Sequence, residues 1–361
     1  MRLVIDMTVA SQAPHGGTAR YAREVLAAMT GAPPPGAQLI PLNGWPRWRS
    51  NQRLRPLRRV ANLGLDVGWF TTGALAAAAR HRADAWFGPA NLLPPTLPRP
   101  MVVTIHDLNF LTLPGTYDRG YTRYATRAFR LSARRATRVV TGSQAAREDI
   151  VAKLDVDPGR VAVVHPGADH LGTVEPATDD LDLPKPYALF VGQTEPHKNV
   201  GLLLDAWRAG VPDGLHLVIC GPAGRDDERL RGLAGAADLR TRVHFTGRLD
   251  DAALARAYQD ARLFLFPSMG EGFGFPPLEA MARGVPTATS TAGALPEVTA
   301  GGAMLFAPDD ADALAVLVTR LATDPNLRSR LRAKGRKVAA RYTWAATAAA
   351  LWDEASQAVA V

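Results

Sequence analysis

The feature that most restricts this chain is an alternation that occurs twice. Short, continuously apolar runs break off into glycine-rich or polar loops, and longer helical patterns follow. In the first half the runs are RLVID (2–6), QLIPL (38–42), DAWFG (84–88), MVVTI (101–105), RVVTG (138–142) and VAVVH (161–165). Strands without a polar face are buried on both sides, so the pattern predicts a parallel sheet covered by helices above and below. The alternation restarts with YALFV (187–191), LHLVIC (215–220), RVHFT (242–246), RLFLF (262–266) and VPTAT (285–289). Between the halves, DHLGTVEPATDDLDLPKP (169–186) is acidic, proline-containing and aperiodic, and reads as a linker. A length of 361 residues suits two domains. The expected division is therefore 1–168, a linker at 169–186, a second domain at 187–342, and a terminal helical segment at 343–361 in which Trp344, Leu351 and Trp352 are packing anchors.

The net charge of +8 is compatible with an anionic ligand, a membrane surface or nucleic acid. Arginine recurs through 119–138, yet Tyr121, Ala125, Ala128, Phe129, Leu131 and Ala136 suggest an apolar stripe. A core-packed helix with a solvated basic face is expected there, and no nucleic-acid partner. Cys220, the one cysteine, ends an apolar run and reads as a buried strand residue. No zinc-ligand spacing occurs, and no run of about 18 apolar residues. A cytoplasmic protein is expected, with peripheral contact at the inner membrane face as the alternative. The segment GWPRWRSNQRLRPLRRV (44–60), with Trp45 and Trp48 among arginines such as Arg58 and Arg59, is expected to meet an acceptor or a membrane surface.

Open parallel sheets bind ligands beyond the carboxyl ends of their strands, so the loops after strands are the informative ones. The first, TVASQAPHGGTARY, brings Gly16 and Gly17 to a helix start, where bare amides can meet an anion. No G-x-G-x-x-G is present. TIHDLNFL places His106 and Asp107 at a strand end, as candidates for acid–base work or for sugar contact. Ser143 suits a helix cap. In YALFVGQTEPHKNV, Gly192 leads to His197 and Lys198 at a strand–loop–helix junction that suits a diphosphate, although a plain surface lysine would look the same. ICGPAG (219–224) and FTGRL (245–249) are further glycine turns. The strongest segment is FLFPSMGEGFGFPPLEAMARGVPTATS, in which Glu271 lies in a glycine-rich loop and Glu279 in the helix after it. Two carboxylates on one loop-to-helix unit can grip sugar hydroxyls. Glu271 is expected to be an exposed loop residue that acts on a ligand and not on the fold.

At this segment the sequence resembles the family-four retaining glycosyltransferases, and the resemblance extends over almost the whole chain. It implies an α/β fold of GT-B type, with two Rossmann-like doubly wound domains facing across a cleft and the terminal helix crossing back onto the first domain. EGFGFPPLE is similar to the family's E-x7-E element. That implies Glu279 on the donor's ribose, Glu271 on the transferred sugar, and the amides around Phe273, Gly274 and Phe275 on sugar or phosphate. HGGTARY is similar to the family's N-terminal glycine loop and implies Gly16 and Gly17 beside the diphosphate. IHDL implies His106 beside the donor sugar, and GQTEPHKN implies Lys198 as the diphosphate cation. Gln193 and His197 stand where relatives carry arginine, so Arg248 or Arg225 is a candidate for the missing charge.

The implied activity is that of a retaining hexosyltransferase using a nucleotide-sugar donor, closest in flavour to mannosyl- and rhamnosyltransferases acting on polysaccharides or natural products, which leans towards a donor of GDP-mannose type. The acceptor would be a glycan, a lipid-linked molecule or a natural product. Metal independence is expected if Lys198, helix N-termini and loop amides meet the diphosphate charge, since DDLD (179–182) sits in the linker and DDAD (309–312) near a helix start. The alternative is a catalytically weak or dead relative of GT-B type that binds sugar nucleotides.

Overall fold

The computed structural model describes residues 1–12, 16–45, 62, 64–98, 100–172 and 174–361. Most of the segment expected to meet an acceptor or a membrane, 46–60, lies outside the described residues.

The chain divides into two compact units. The first comprises 1–111, 117–166 and 344–361, and the second comprises 112–116 and 167–343. The first unit holds a six-stranded sheet of β1 (Arg2–Asp6), β2 (Gln38–Leu42), β3 (Ala85–Gly88), β4 (Met101–Thr104), β5 (Arg138–Thr141) and β6 (Val161–Val163). Its spatial order is β2-β1-β3-β4-β5-β6, with every pair parallel. Val4, Trp86, Val103, Ile105, Phe129 and Ile150 belong to its core. The second unit holds β7 (Tyr187–Val191), β8 (His216–Cys220), β9 (Val243–Gly247), β10 (Leu263–Phe266), β11 (Thr287–Ser290) and β12 (Met304–Phe306) in the parallel order β12-β11-β10-β7-β8-β9. Its core includes Phe190, Trp207, Leu217, Tyr258, Phe264 and Phe266.

Each sheet reverses its strand order once, at β1/β3 in the first unit and at β7/β10 in the second. At such a point the crossovers on either side diverge and leave a crevice at the strands' carboxyl ends. The loops after β1 and β3, and those after β7 and β10, are therefore where each unit can take a ligand.

One strand is added to the expected set, and one expected face is corrected. Strand β12 was not anticipated, because MLF is three residues long and begins straight after Gly301, Gly302 and Ala303. On helix Arg119–Arg135 the buried face runs through Ala125, Phe129, Ser132 and Ala133, whereas Tyr121 and Leu131 are 47% and 48% exposed. The true stripe includes a polar residue, Ser132, whose Oγ accepts the Leu93 amide at 3.0 Å.

The terminal helix, Trp344–Ala360, belongs to the first unit, with Trp344, Leu351 and Trp352 buried. The Trp352 indole donates to the Met29 carbonyl at 3.3 Å, and the Thr347 hydroxyl to that of His165 at 2.8 Å. Glu354 pairs with Arg138 of β5 at 2.6 Å, both side chains being mostly buried. Removing one member of a buried pair strands the other charge. Glu354→Ala should therefore cost about 3 kcal/mol of first-unit stability, seen as an earlier urea transition. An unmoved midpoint would mean that the apolar face alone secures the helix.

Candidate functional site

In the second unit, the loops flanking the β7/β10 switch point are tied directly to each other. After β7 the chain makes a single helical turn at Pro196–Lys198, and Asn199 then takes a left-handed conformation (φ 54°) before helix Val200–Gly210. After β10 it runs through Pro267 and Ser268 into the glycine loop, and helix Phe275–Ala282 starts at Gly274 with Pro276 in its first turn. A proline there lacks only an N–H that the helix could not have used. The Asn199 amide donates to Pro267 O (3.2 Å) and Pro308 O (2.7 Å). The His197 carbonyl accepts from the Met269 amide at 2.8 Å, and the Ser268 hydroxyl oxygen lies 3.1 Å from it.

Across this seam Lys198 Nζ meets Glu271 Oε1 at 2.5 Å, and the Ser268 hydroxyl lies 2.6 Å from the same oxygen. The ammonium also lies over the Phe266 ring, 5.3 Å from its centroid. The expectation of an exposed Glu271 is thus corrected, since its side chain is only 12% exposed and holds an ion pair. Its backbone is equally constrained. Gly293 (φ +55°) passes so close that a Cβ there would stand 2.6 Å from the Glu271 carbonyl oxygen. Sequence reasoning gave Lys198 and Glu271 separate tasks, and the structure puts them in contact.

Glu279, on helix Phe275–Ala282, is 4% exposed. Its carboxylate accepts from the Tyr258 hydroxyl (2.9 Å) and from His170 Nε2 (3.0 Å). Neither partner was singled out from the sequence. Ser268 and Asn199 were also passed over, although the asparagine before a helix was a usable signal for a left-handed residue. Phe273 and Phe275 pack edge to face at 5.3 Å.

The candidate extra cations behave differently from Lys198. Burial, followed by the neighbouring Lys198 charge, pushes the His197 imidazole down to about 4. Arg225 pairs with Glu195 at 2.7 Å and donates to Thr116 O at 2.6 Å. Arg248 is exposed directly after β9, an edge strand two positions from β7. The Gln193 amide is 3.3 Å from Ala223 O. The glycine turns after β7, β8 and β9 stack side by side. Gly192 N donates to Cys220 O and Gly221 N to Gly247 O, each at 2.9 Å. Gly221 (φ +147°) admits no side chain, for a Cβ would sit 2.0 Å from the Gly192 carbonyl oxygen.

In the first unit Gly16 (φ 118°) precedes helix Gly17–Gly31, and residues 13–15 lie outside the described residues. His106 follows β4 and is packed edge to face on Tyr21 at 4.8 Å. Its Nε2 is 2.9 Å from the Pro89 carbonyl, which can only accept, so Nε2 carries the proton and Nδ1 the lone pair. Burial pushes this imidazole down to about 4. Asp6, at the end of β1, is a buried carboxyl that the sequence did not flag. It accepts from Thr8 and from the Trp69 indole (3.4 Å), and burial raises its pKa. Among the described residues, no group of three or more His, Cys, Asp or Glu side chains is arranged to hold a metal ion.

Residues 5–170 match the model of glycosyltransferase family 4, and residues 175–338 match that of glycosyl transferases group 1. The chain is a family-four glycosyltransferase. Among curated relatives, O-antigen chain mannosyltransferase B of Escherichia coli is 29% identical over 273 residues, or 72% of this chain and 70% of that protein. The serotype-specific mannosyltransferase WbdA of Escherichia coli is 30% identical over 230 residues, and the chain spans only 28% of its length. Among solved structures, sucrose-phosphate synthase from Thermosynechococcus elongatus superposes with a TM-score of 0.79 at 22% identity, covering 100% of this chain and 99% of that one. Anabaena HepE in complex with UDP-glucose gives 0.74 at 18% identity, with 99% of each chain covered. These neighbours establish the GT-B glycosyltransferase fold. No helix among the described residues is long and apolar enough to cross a membrane.

The two low imidazole pKa values have a consequence for this glycosyltransferase. Unfolded, His106 and His197 protonate near 6.5, and folded they do so only near 4. Between those values the unfolded state binds more protons, so their contribution is fully present above pH 6.5 and falls away as the pH drops towards 4. Each site should cost about 2 kcal/mol at pH 5 relative to neutral pH. His106→Asn should flatten that loss in urea midpoints compared at pH 7.5 and pH 5. An unchanged pH slope would show that His106 is protonated alike in both states.

Proposed function

We propose that this chain is a retaining hexosyltransferase that uses a nucleoside-diphosphate sugar of GDP-mannose type and acts on a glycan, lipid-linked or natural-product acceptor. The observation that carries the reading is the Lys198–Glu271 contact at the second sheet's switch point, with Glu279 on the helix that follows. The mannosyltransferase names of the relatives support the sugar class.

In the proposed reaction the bond between the anomeric carbon and the diphosphate oxygen breaks, and negative charge gathers on the leaving group. Lys198 and loop amides meet that charge, in a site where opposed charges act more strongly than in water. Before the donor arrives, the lysine is neutralised by Glu271. A diphosphate competes for the same ammonium and frees the carboxylate to orient a sugar hydroxyl and to favour the positive charge developing at the anomeric carbon. The acceptor hydroxyl attacks from the face that the diphosphate leaves, and its proton passes to the departing phosphate oxygen, which preserves configuration. The neutral His106 ring, with its lone pair on Nδ1, suits accepting a hydrogen bond from a sugar hydroxyl better than donating a proton. The acceptor side rests on the first unit.

A thermal-shift screen of GDP, UDP, ADP and TDP identifies the base. Lys198→Ala should then weaken the matching diphosphate by about 1.5–3 kcal/mol in calorimetry, and an unchanged affinity would remove Lys198 from the site. Glu271→Gln releases the lysine from its carboxylate. It should bind the diphosphate at least as tightly as the wild type, yet turn over on the order of a hundredfold more slowly. Full turnover in this variant, or an inverted anomeric proton signal in the product's NMR spectrum, would refute the assignment.

A further inference from the structure

Helix Phe275–Ala282 and the arginine that follows it grip a segment that carries none of the family motifs. At a spacing of four residues, Phe275, Glu279 and Arg283 all meet the stretch just after the chain enters the second unit. The Phe275 ring stands edge to face against His170 at 6.1 Å. Glu279 accepts from His170 Nε2 at 3.0 Å, and both side chains are 6% exposed. The Arg283 guanidinium donates to the carbonyls of Leu171 and Val174. From the other side, Tyr258 of helix Asp251–Asp260 reaches the second oxygen of Glu279 at 2.9 Å. Both carboxylate oxygens are therefore held by donors from two separate elements.

We infer that His170, together with Tyr258, is a positioning residue for the donor: it fixes the Glu279 carboxylate in the orientation that receives the ribose. This rests on the proposed reading of Glu279 as the ribose contact. A glutamate has several torsions to freeze, and ordering it on binding would be charged against affinity. Two fixed donors order it beforehand. A carboxylate offers about four acceptor sites, so protein donors and ribose hydroxyls can share it. Because a carboxylate only accepts, His170 must present a proton on Nε2. Glutamine can place an N–H near that point, and alanine cannot. Arg283 holds the Leu171 and Val174 carbonyls without help from the imidazole, so loss of the ring need not undock the segment.

The test uses the full chain and calorimetry with GDP, UDP and ADP, each against its 2′,3′-dideoxy counterpart. For the nucleotide that binds best, the wild type should prefer the ribose form, and His170→Ala should weaken that form by roughly tenfold while narrowing the preference. Tyr258→Phe should act in the same direction, and His170→Gln should recover most of the loss. Melting temperatures should stay within a few degrees, and donor KM should rise more than kcat falls. If His170→Ala binds as the wild type does, or loses ribose and dideoxy forms equally, the imidazole only packs the segment and the positioning role is overturned while Glu279 keeps its own. If the wild type does not discriminate ribose from dideoxyribose, or binds none of the three nucleotides, the ribose role of Glu279 fails and this inference fails with it.

Discussion

One carboxylate oxygen joins the two loops that flank the second unit's switch point. Glu271 Oε1 faces both the Lys198 ammonium and the Ser268 hydroxyl, and so joins the loop after β7 to the loop after β10. Taking such a pair out of water carries a desolvation penalty that Coulomb attraction repays only when hydrogen bonds complete the geometry. Here they do. Asn199 bridges to Pro267 and Pro308, the His197 carbonyl accepts from the Met269 amide, and the Ser268 hydroxyl faces Glu271. Hydrogen bonds from Asn199 and to the His197 carbonyl thus tie the two loops together around the charge pair. Under the proposed reading, dipoles held in place around an ion pair suit a step in which charge moves from one group to another.

Much of the frame was legible in the sequence, because parallel strands buried on both faces cannot hide their apolar runs. Each expected run contains or largely overlaps a strand, with ends shifted by one or two residues. The exception, β12, is too short and too close to glycines to stand out. The outward turn of Tyr121 and Leu131 was missed for a different reason. Period alone admits several faces for helix Arg119–Arg135, and only the Leu93 amide waiting for Ser132 selects the one that is buried.

The site was half legible. E-x7-E, His197–Lys198 and IHD announce themselves because each packs its chemistry into one short stretch. What holds those groups does not. Glu279 depends on Tyr258, 21 residues away, and on His170, 109 residues away. No local pattern connects such partners, since the fold alone brings them together. Burial was illegible as well. A glutamate among glycines reads as exposed, yet the close passage of Gly293 and the Lys198 pairing enclose Glu271.

The two departures from the family pattern, Gln193 and His197, take on a physical meaning once charges are followed. His197 stays neutral near pH 7, because burial and the adjacent lysine both oppose its protonation. Arg225 is neutralised by Glu195. Positive charge is instead plentiful on helix Arg119–Arg135, which carries Arg119, Arg123, Arg127, Arg130, Arg134 and Arg135. The net charge of +8 is thus a poor guide to the field at the β7/β10 loops. With the neighbouring side chains neutral or paired, the balance between Lys198 and Glu271 sets the local charge. A further cation at position 193 or 197 would bind a diphosphate more firmly in both ground and transition states. Such uniform tightening does not by itself speed the chemical step. Under the proposed reading, one lysine paired with Glu271 keeps that uniform tightening small.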